Sequence, residues 1–213
     1  MPFYHKQGDF PQKRHTQFRK PNGELYHEEL VSTEGFSSIH SLIYHSHPPT
    51  LVSKIEKPIP YGPVAALEEN MQSRSFLTFD LPAEDDYIKS RKVMLFNNDL
   101  HIGVCAPKKS MVDYFFKNTD GDEVLFIHKG SGKLLTIYGE IAFKYGDYLV
   151  IPRGTIYQLR FDSDENRILF TESPSPIYPP KRYQNQSGQL MEHSPFCERD
   201  IKLPINLETH DAQ

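Results

Sequence analysis

The pair His45-x-His47 is the only H-x-H spacing in the chain and its most direct candidate for metal chemistry. On a β-strand both imidazole rings would lie on one face, which is how metal ligands are often presented. However, Pro48-Pro49 ends such a strand at once, and the nearest acid downstream is Glu56, across a polar loop. A surface or interface position is therefore the favoured interpretation, and a ligand pair is the alternative.

Glu123 is the second candidate, because strand alternation places its side chain on the same face as Leu125 and Ile127. We therefore expect its carboxylate to point into the protein, where it could act as a general base or a lone metal ligand. A structural acid near a strand start is the more common arrangement, and a solvated turn with Asp122 is a further alternative. His128 has the opposite parity and is expected to face outward.

A metal held by His45, His47 and Glu123 would make the chain a small metalloenzyme, which is the weakest of the hypotheses. Neither Cys105 nor Cys197 has a nearby histidine or basic helix start that would make it a nucleophile. The sequence also lacks a P-loop and the G-x-G-x-x-G, C-x-x-C and G-x-S-x-G motifs. The residues by themselves therefore predict a domain with few candidate catalytic residues.

Short apolar runs rich in β-formers and closed by Gly, Lys, Ser or Asp predict consecutive strands in the second half of the chain. These runs are Val124–Ile127, Leu134–Tyr138, Ile141–Phe143 and Tyr148–Ile151; the alternation of Thr155–Phe161 predicts another strand, and Arg167–Phe170 is a further strand candidate. Gly130-Ser131-Gly132 predicts a tight turn that needs positive φ or a close backbone approach. Short antiparallel strands with regular turns favour a sandwich or a jelly roll.

The first half of the chain is less regular. Strands are predicted at Ile39–Tyr44, Ser75–Phe79, Val93–Phe96 and Ile102–Cys105, and short helices at Val64–Met71 and Asp85–Lys92. A basic cluster near the start, comprising Lys13, Arg14, His15, Arg19 and Lys20, suggests either an arm that binds phosphate or nucleic acid, or a solvated or intersubunit arm. The second interpretation is favoured, because the net charge of the chain is -4.

Length and composition narrow the class of protein further. The 213 residues suffice for one large or two small domains, and two distant cysteines are too few for a disulfide framework. The start lacks the apolar region of a secretory signal, and no apolar run approaches the ~20 residues that span a bilayer. We therefore expect a cytoplasmic protein that binds neither membranes nor nucleic acid.

The spacing around Glu123 resembles that of the cupins. Glu123-x6-Gly130 resembles the end of their first motif, and Gly146-x5-Pro152-x-Gly154-x2-Tyr157 resembles their second. On that template the two first-motif histidine positions fall on Lys117 and Thr119, or on Phe116 and Asn118, and the second-motif histidine position is Tyr157. The Lys ammonium, the phenyl ring and the neutral phenol among them are poor ligands for a divalent ion, which prefers imidazole or carboxylate. Tyr157 is therefore expected to be a core phenol with a satisfied hydroxyl.

Longer strings resemble the N-terminal half of the homogentisate 1,2-dioxygenases, particularly the shorter bacterial type. They include KRHTQFRKP at 13–21, YHSHPPT at 44–50, YFFKNTDGDE at 114–123 and SPFCERD at 194–200. The resemblance implies two cupin barrels per subunit, a hexamer, and Fe(II) held by two histidines and one glutamate, which opens the ring of homogentisate with dioxygen to give maleylacetoacetate. It places all three iron ligands in a C-terminal barrel that this chain lacks, so none of its ten histidines is expected to bind iron.

For this chain the resemblance implies a structural and assembly role without activity of its own, in which it packs on the missing catalytic barrel. Tyr114, Lys117 and Asn118 are expected to contribute to the substrate pocket of a neighbouring subunit, with ordinary rim residues as the alternative. A different hypothesis is a stand-alone, metal-free cupin that binds a small molecule or a partner protein.

The predicted fold class is all-β, a cupin-like (RmlC-type) jelly-roll barrel with an extended N-terminal arm and a Pro-rich C-terminal segment. The arm is placed at residues 1–60 and the barrel, without metal ligands, at 61–173. The Pro-rich sequence of residues 174–213 predicts extended chain that crosses a surface and leads to the catalytic barrel.

Overall fold

The computed structural model describes residues 5, 7–9, 11–13, 15–60, 62–67 and 72–208, with the backbone only for 33, 34 and 37–39. Within these residues the chain forms strands and three short 3-10 helices (Thr78–Asp80, Lys181–Tyr183 and Glu198–Asp200). The strands are β1 His27–Glu34, β2 Ser37–His45, β3 Lys92–Phe96, β4 His101–Cys105, β5 Phe116–Lys117, β6 Asp122–Lys129, β7 Gly132–Thr136, β8 Gly139–Phe143, β9 Tyr148–Ile151, β10 Ile156–Phe161 and β11 Arg167–Ser173.

Two antiparallel sheets build the main body of the protein. One has five strands in the order β3-β4-β11-β6-β9, and the other has four in the order β5-β10-β7-β8. Their inner faces share one hydrophobic core, in which Ile127 and Phe170 of the first sheet join Leu134 and Leu159 of the second. This is the predicted all-β jelly roll, and the fold prediction is confirmed.

Strand alternation decides which side chains enter that core. Glu123, Leu125 and Ile127 on β6 are all fully buried, whereas His128 lies half-buried on the outer face of the sheet. Both parity predictions for β6 are therefore confirmed. On β10 the apolar Leu159 is buried, and Gln158 on the opposite face is buried as well, where its Nε2 donates to the carbonyl of Tyr114 at 2.9 Å.

The turn between β6 and β7 depends on both properties predicted for its glycines. Gly130 has φ of +109°, a conformation that side chains disfavour. A Cβ on Gly132 would lie 2.0 Å from the carbonyl oxygen of Arg160, so only glycine lets β7 approach β10 this closely. The prediction for this turn is confirmed.

Three predictions for the first half are wrong. Residues 64–67 are not helical, and 68–71 of the predicted Val64–Met71 helix lie outside the described residues. The predicted Asp85–Lys92 helix is instead a turn at residues 87–90, with one helix-like hydrogen bond from Ser90 N to the carbonyl of Asp86 at 3.0 Å, and Lys92 already begins β3. Ser75–Phe79 is not a strand and leads into the 3-10 helix Thr78–Asp80. Local propensity is a weak guide for such short segments, because packing supplies most of the stability of a helix or strand.

Two peripheral parts accompany the barrel. Strands β1 and β2 form a separate antiparallel hairpin, in which His27 pairs with His45. Residues 174–208, called the C-terminal strap here, contain no strand in the structure, but Ile205 pairs with Glu140 at the edge of β8 (Glu140 N to Ile205 O, 2.7 Å). The domain boundaries at residues 60 and 173 stay a prediction. No helix in the described part of the chain is long and apolar enough to cross a membrane.

Candidate functional site: a buried ion network in the barrel

The inner end of β6 places Glu123 at the centre of a polar cluster inside the barrel. Its Oε2 accepts a hydrogen bond from the Tyr157 hydroxyl of β10 at 2.7 Å. Its Oε1 accepts from Arg91 at 3.1 Å and from the Tyr87 hydroxyl at 3.3 Å. Three donors from two segments, the turn before β3 and strand β10, therefore converge on one carboxylate that is closed off from solvent.

Arg91 supplies the positive charge of the cluster. It follows the turn at residues 87–90 and enters the barrel just before β3, and its side chain is only 2% exposed. One terminal nitrogen contacts Glu123 and the other contacts Glu172 at 2.5 Å. The guanidinium also lies over the ring of Phe170, with its carbon 4.2 Å from the ring centre. Arg91 thus bridges the carboxylates of Glu172 on β11 and Glu123 on β6, which pair in register on neighbouring strands.

Three residues that pair in register across neighbouring strands form a row, called the cross-strand row here, which brings the two carboxylates close together. His101 on β4 pairs in register with Glu172 on β11, and Glu172 pairs in turn with Glu123 on β6. Nδ1 of His101 lies 3.9 Å from Oε1 of Glu172. Like charges directly opposite each other destabilise a sheet, so the row depends on the cation that Arg91 inserts.

Burial sets the protonation of this cluster. Burial raises the pKa of Tyr157 and of Tyr87 well above the usual value for a phenol, and the neighbouring Glu123 charge raises both further. Both hydroxyls therefore keep their protons and remain donors. Burial also raises the pKa of Glu123, and the Arg91 charge and the Tyr157 hydrogen bond act against that shift. For Arg91, burial alone would lower the pKa, but the interactions with Tyr87, Glu123 and Glu172 leave it raised, so the guanidinium stays charged.

The interior of the barrel does not fit a metal ion as it stands. Of the template positions, only Glu123 carries a ligand type, and Tyr157 uses its proton to bind that carboxylate. Residues 72–208, which include the whole barrel, contain no group of three or more His, Cys, Asp or Glu side chains arranged to hold a metal. The prediction that Tyr157 is a core phenol with a satisfied hydroxyl is confirmed.

His45 and His47 lie elsewhere, on and just after the β1–β2 hairpin. Nε2 of His45 lies 2.7 Å from Oε2 of Glu29, and His47 is exposed. Glu123 is enclosed in the barrel core. The structure therefore does not bring His45, His47 and Glu123 together as ligands.

Tyr114, Lys117 and Asn118 were expected to contribute to the substrate pocket of a neighbouring subunit. Their surroundings in the structure differ. Nζ of Lys117 lies 3.4 Å from Oε1 of Glu29 and so connects β5 to the hairpin. Asn118 is buried, and its Oδ1 accepts hydrogen bonds from the backbone N–H groups of Asp120 and Gly121 at 3.0 and 3.1 Å. Tyr114 is half-buried, and Lys89 lies over its ring at 5.3 Å. Their contribution to a neighbouring subunit stays a prediction.

Sequence reasoning missed most of the cluster. The strand predicted to end at Phe170 continues to Ser173, and extending its alternation would have turned Glu172 inward beside Glu123. No local pattern identifies Arg91, because its partners lie 32 and 81 residues further along the chain.

A second concave site lies on the outer face of the five-stranded sheet. It is a cavity of about 200 Å³, and its lining includes Phe79, Phe126, His128, Arg167 and Leu169. The His128 ring packs edge-on against Phe79, with centroids 4.7 Å apart. His128 thus faces outward, as predicted, and lies in an aromatic pocket on the outside of the barrel.

Two facing antiparallel sheets with this turn pattern define the protein as a cupin-type jelly roll. Two solved structures are similar to parts of this chain at low identity. A cupin-2 domain protein from Shewanella frigidimarina is 22% identical, with 45% of this chain and 87% of that chain covered and a TM-score of 0.38. A protein with a double-stranded β-helix domain from Klebsiella pneumoniae is 17% identical, with 50% and 95% covered and a TM-score of 0.41.

Comparison with protein families finds a more specific similarity for part of the chain. Residues 87–178 match the model of the homogentisate 1,2-dioxygenase N-terminal domain, so this part of the chain is similar to that domain. The protein named "Putative dioxygenase" of Saccharolobus solfataricus is 38% identical over 211 residues, which is 99% of this chain and 54% of that protein. The homogentisate 1,2-dioxygenase of Bradyrhizobium diazoefficiens is 36% identical over 59 residues, 28% of this chain and 13% of that enzyme. The chain thus spans about half the length of the relative that it matches from end to end.

Proposed function

We propose that this chain is the N-terminal structural and assembly part of a homogentisate 1,2-dioxygenase-like enzyme, and that it opens no ring by itself. The observation that carries the proposal is the Arg91–Glu123 ion pair, which fills the part of the barrel where a cupin enzyme needs open ligand positions. In this proposal Fe(II), homogentisate and dioxygen bind to a second barrel that is not part of this chain.

The extent of the match to the Saccharolobus solfataricus protein supports a second part. This chain aligns over nearly its whole length and still covers only 54% of that relative. The rest of the relative is almost as long as this chain, which is ample for another domain of typical size. We propose that the corresponding part is the catalytic barrel.

The outer face of the five-stranded sheet supports docking of that barrel. Tyr148, Val150 and Leu169 on this face are exposed by 67%, 52% and 42%, and the half-buried Phe126 packs against Tyr148 with ring centroids 4.8 Å apart. Adjacent exposed apolar side chains on one sheet face are typical of an interaction surface. We propose that burial of this patch is the main driving force of docking.

The segment between the hairpin and the barrel supports assembly into a homo-oligomer, for which the family resemblance suggests a hexamer. Six large apolar side chains in residues 51–67 are 60% to 100% exposed, namely Leu51, Val52, Ile55, Ile59, Val64 and Leu67. A neighbouring subunit would remove this surface from water, with the usual gain of about 25 cal/mol per Å². In such an assembly Tyr114, Lys117 and Asn118 would approach the substrate pocket of a neighbour, and a cytoplasmic location stays a prediction.

A stand-alone, metal-free cupin is the second candidate, and the cavity beside His128 favours it. Its volume of about 200 Å³ and its Phe79 and Phe126 rings suit a small apolar or aromatic molecule. This function predicts a stable, monodisperse chain that needs no second barrel.

The deciding experiment begins with the source DNA beyond the codon for Gln213. We expect coding sequence for a second barrel with a His and a Glu close together and a further His downstream. Co-expression of both parts with Fe(II) should give a complex that consumes oxygen when homogentisate is added. The same oxygen-electrode assay with this chain alone, Fe(II) and homogentisate should give no uptake.

Two results would change the assignment. Iron-dependent oxygen uptake by this chain alone would overturn the proposal that it is inactive. A stop codon with no second barrel nearby, together with a monodisperse chain in solution, would favour the metal-free cupin.

A further inference from the structure

We propose that the cavity on the outer face of the five-stranded sheet binds a small aromatic carboxylate, whose charged group pairs with Arg167 and whose ring packs against Phe79 and Phe126. The proposal names the ligand class of the cavity on which the second candidate function rests. It holds equally for a chain that docks on a second barrel, because it concerns only residues of this chain.

The first observation is a guanidinium that has donors to spare. One terminal nitrogen of Arg167 donates to the carbonyl of Leu81, which holds the side chain against the segment after the 3-10 helix Thr78–Asp80. Within the described residues its Nε and its other terminal nitrogen have no hydrogen-bond partner, and no carboxylate forms an ion pair with it. Glu165, two residues away, pairs with Lys129 instead. Nε and a terminal nitrogen are the side-by-side donors that a carboxylate accepts as a pair.

The second observation is a β-bulge that places His128 beside Arg167. Lys129 on β6 pairs with Arg167 on β11, and Ile127 pairs with Ile168, so His128 is the extra residue between the two pairs. Bulges are common next to functional sites, where they redirect a side chain. His128 and Arg167 both line the cavity, and the imidazole nitrogens have no hydrogen-bond partner among the residues that the structure describes. An imidazole N–H is therefore available to donate to a carboxylate as well.

The third observation is the size and lining of the rest of the cavity. Phe126 and Leu169, which pair in register on β6 and β11, form one wall, and Phe79 lies beside them. An apolar cavity of about 150 Å³ is enough to hold benzene. The volume of about 200 Å³ here therefore has room for one ring with a carboxylate attached. Rings of Phe side chains favour edge-on or offset contact with such a ligand.

The fourth observation is access. Phe79 and Leu169 are both exposed, so a ligand reaches the cavity without unfolding of the barrel. A bound ring would remove part of this apolar surface from water, and the carboxylate would neutralise the guanidinium at its edge. Because each half of the ligand is recognised by a different part of the lining, neither half alone should bind well.

The test titrates the wild-type chain with three probes and follows the backbone amide signals by ¹H–¹⁵N NMR. Benzoate should bind saturably with a dissociation constant of about 1 mM or lower, which a ligand of this size readily reaches, and should shift the signals of Phe126, His128 and Leu169. Benzamide keeps the ring without the charge, and acetate keeps the charge without the ring. Both should bind roughly 10-fold or more weakly than benzoate.

Three variants assign the two halves of the site. Arg167→Gln should weaken benzoate binding roughly 10- to 100-fold and leave benzamide binding unchanged, because only the contact to the charged group is lost. Phe79→Ala removes an exposed ring, so it should leave the fold intact and weaken the binding of benzoate and benzamide alike. Lys129→Gln is the matched control, since it removes one positive charge next to His128 from a side chain outside the cavity. Benzoate affinity in this variant should stay within about 2-fold of wild type.

Each outcome decides the proposal. It is overturned if benzoate gives no saturable shifts at Phe126, His128 and Leu169, if benzamide binds the wild type as tightly as benzoate, or if Arg167→Gln binds benzoate unchanged. If Arg167→Gln does not fold, the comparison of benzoate with benzamide on the wild type decides by itself. Monodispersity of the chain and oxygen uptake with a second barrel are measured separately, so this site and either candidate function can fail independently.

Discussion

The hydroxyl of Tyr157 lies 2.7 Å from Oε2 of Glu123, so two positions that carry a histidine and a glutamate ligand in metal-binding cupins remain in direct contact here. Here the phenol donates to the carboxylate, so each satisfies the other's polar group inside the barrel. Arg91 supplies the positive charge beside them.

Tyr157→Phe should lower the free energy of unfolding by about 1.5–3 kcal/mol, because it removes a donor from a buried carboxylate. Urea denaturation of wild type and variant measures the change. Tyr148→Phe is the matched control, since that side chain is 67% exposed, and should stay within about 0.5 kcal/mol of wild type. A Tyr157→Phe variant as stable as the wild type would mean that this hydrogen bond does not stabilise the fold.

Asp122→Ala should destabilise the protein by about 2–4 kcal/mol, because one carboxylate serves two distant segments. Its Oδ1 accepts from Arg153 N at 2.9 Å and its Oδ2 from Ile177 N at 2.8 Å. Loss of the second bond frees the start of the C-terminal strap, so limited proteolysis should cut near Ile177 faster in the variant. The exposed Asp120, two residues earlier, provides the control Asp120→Ala, for which cleavage should remain at the wild-type rate.

Asn118→Ala and Lys117→Ala should separate a structural residue from a candidate pocket residue. Asn118→Ala leaves two backbone N–H groups without their acceptor and should destabilise the chain by about 1–3 kcal/mol. Lys117→Ala removes a partly exposed ion pair with Glu29 and should change stability by less than about 1 kcal/mol.

In the complex proposed above between this chain and a catalytic barrel, Lys117→Ala should lower oxygen uptake with homogentisate if Lys117 contributes to a neighbour's pocket. Unchanged uptake would leave Lys117 as a residue that only connects the barrel to the hairpin.

The contact between Lys202 and Asp147, at 2.5 Å, should make attachment of the C-terminal strap depend on acid. Burial acts to raise the pKa of Asp147, but the hydrogen bond and charge of Lys202, together with the Lys144 interactions, leave it below its ordinary value of 3.8. A lowered pKa in the folded state means that the ionised form stabilises the fold. This stabilisation is present above pH 3.8 and is lost as the pH falls through the lowered pKa.

Asp147→Asn should therefore be less stable than the wild type at neutral pH, by no more than about 1 kcal/mol because Lys202 is half-exposed. Urea denaturation should show this difference shrinking toward zero well below pH 3.8. Lys202→Met should reproduce the loss, and the double variant should add nothing to it. A difference that persists in strong acid would show that the ion pair is not its cause.

The strands of the barrel could be predicted from the sequence because their signals are local. Alternating apolar residues closed by turn residues fix which side chains face inward, as for Glu123 beside Leu125 and Ile127. The Gly130–Gly132 turn is equally local, since it depends on backbone freedom and on close contact with the adjacent strand. The segments at 64–67 and 75–79 were predicted wrongly, because propensity alone does not show whether a sheet or core is there to receive them.

The sequence by itself determined the cupin-type spacing, the family resemblance and the loss of histidine from the ligand positions, because each depends on residue types at short, fixed intervals. Only the tertiary structure decided which cation neutralises the buried Glu123 carboxylate. Arg91 reaches Glu123 across 32 residues and Glu172 across 81, and no local pattern connects them. The partners of a buried charge are set by the register of β4, β11 and β6, because a charge inside the barrel must be neutralised by whatever the fold brings beside it.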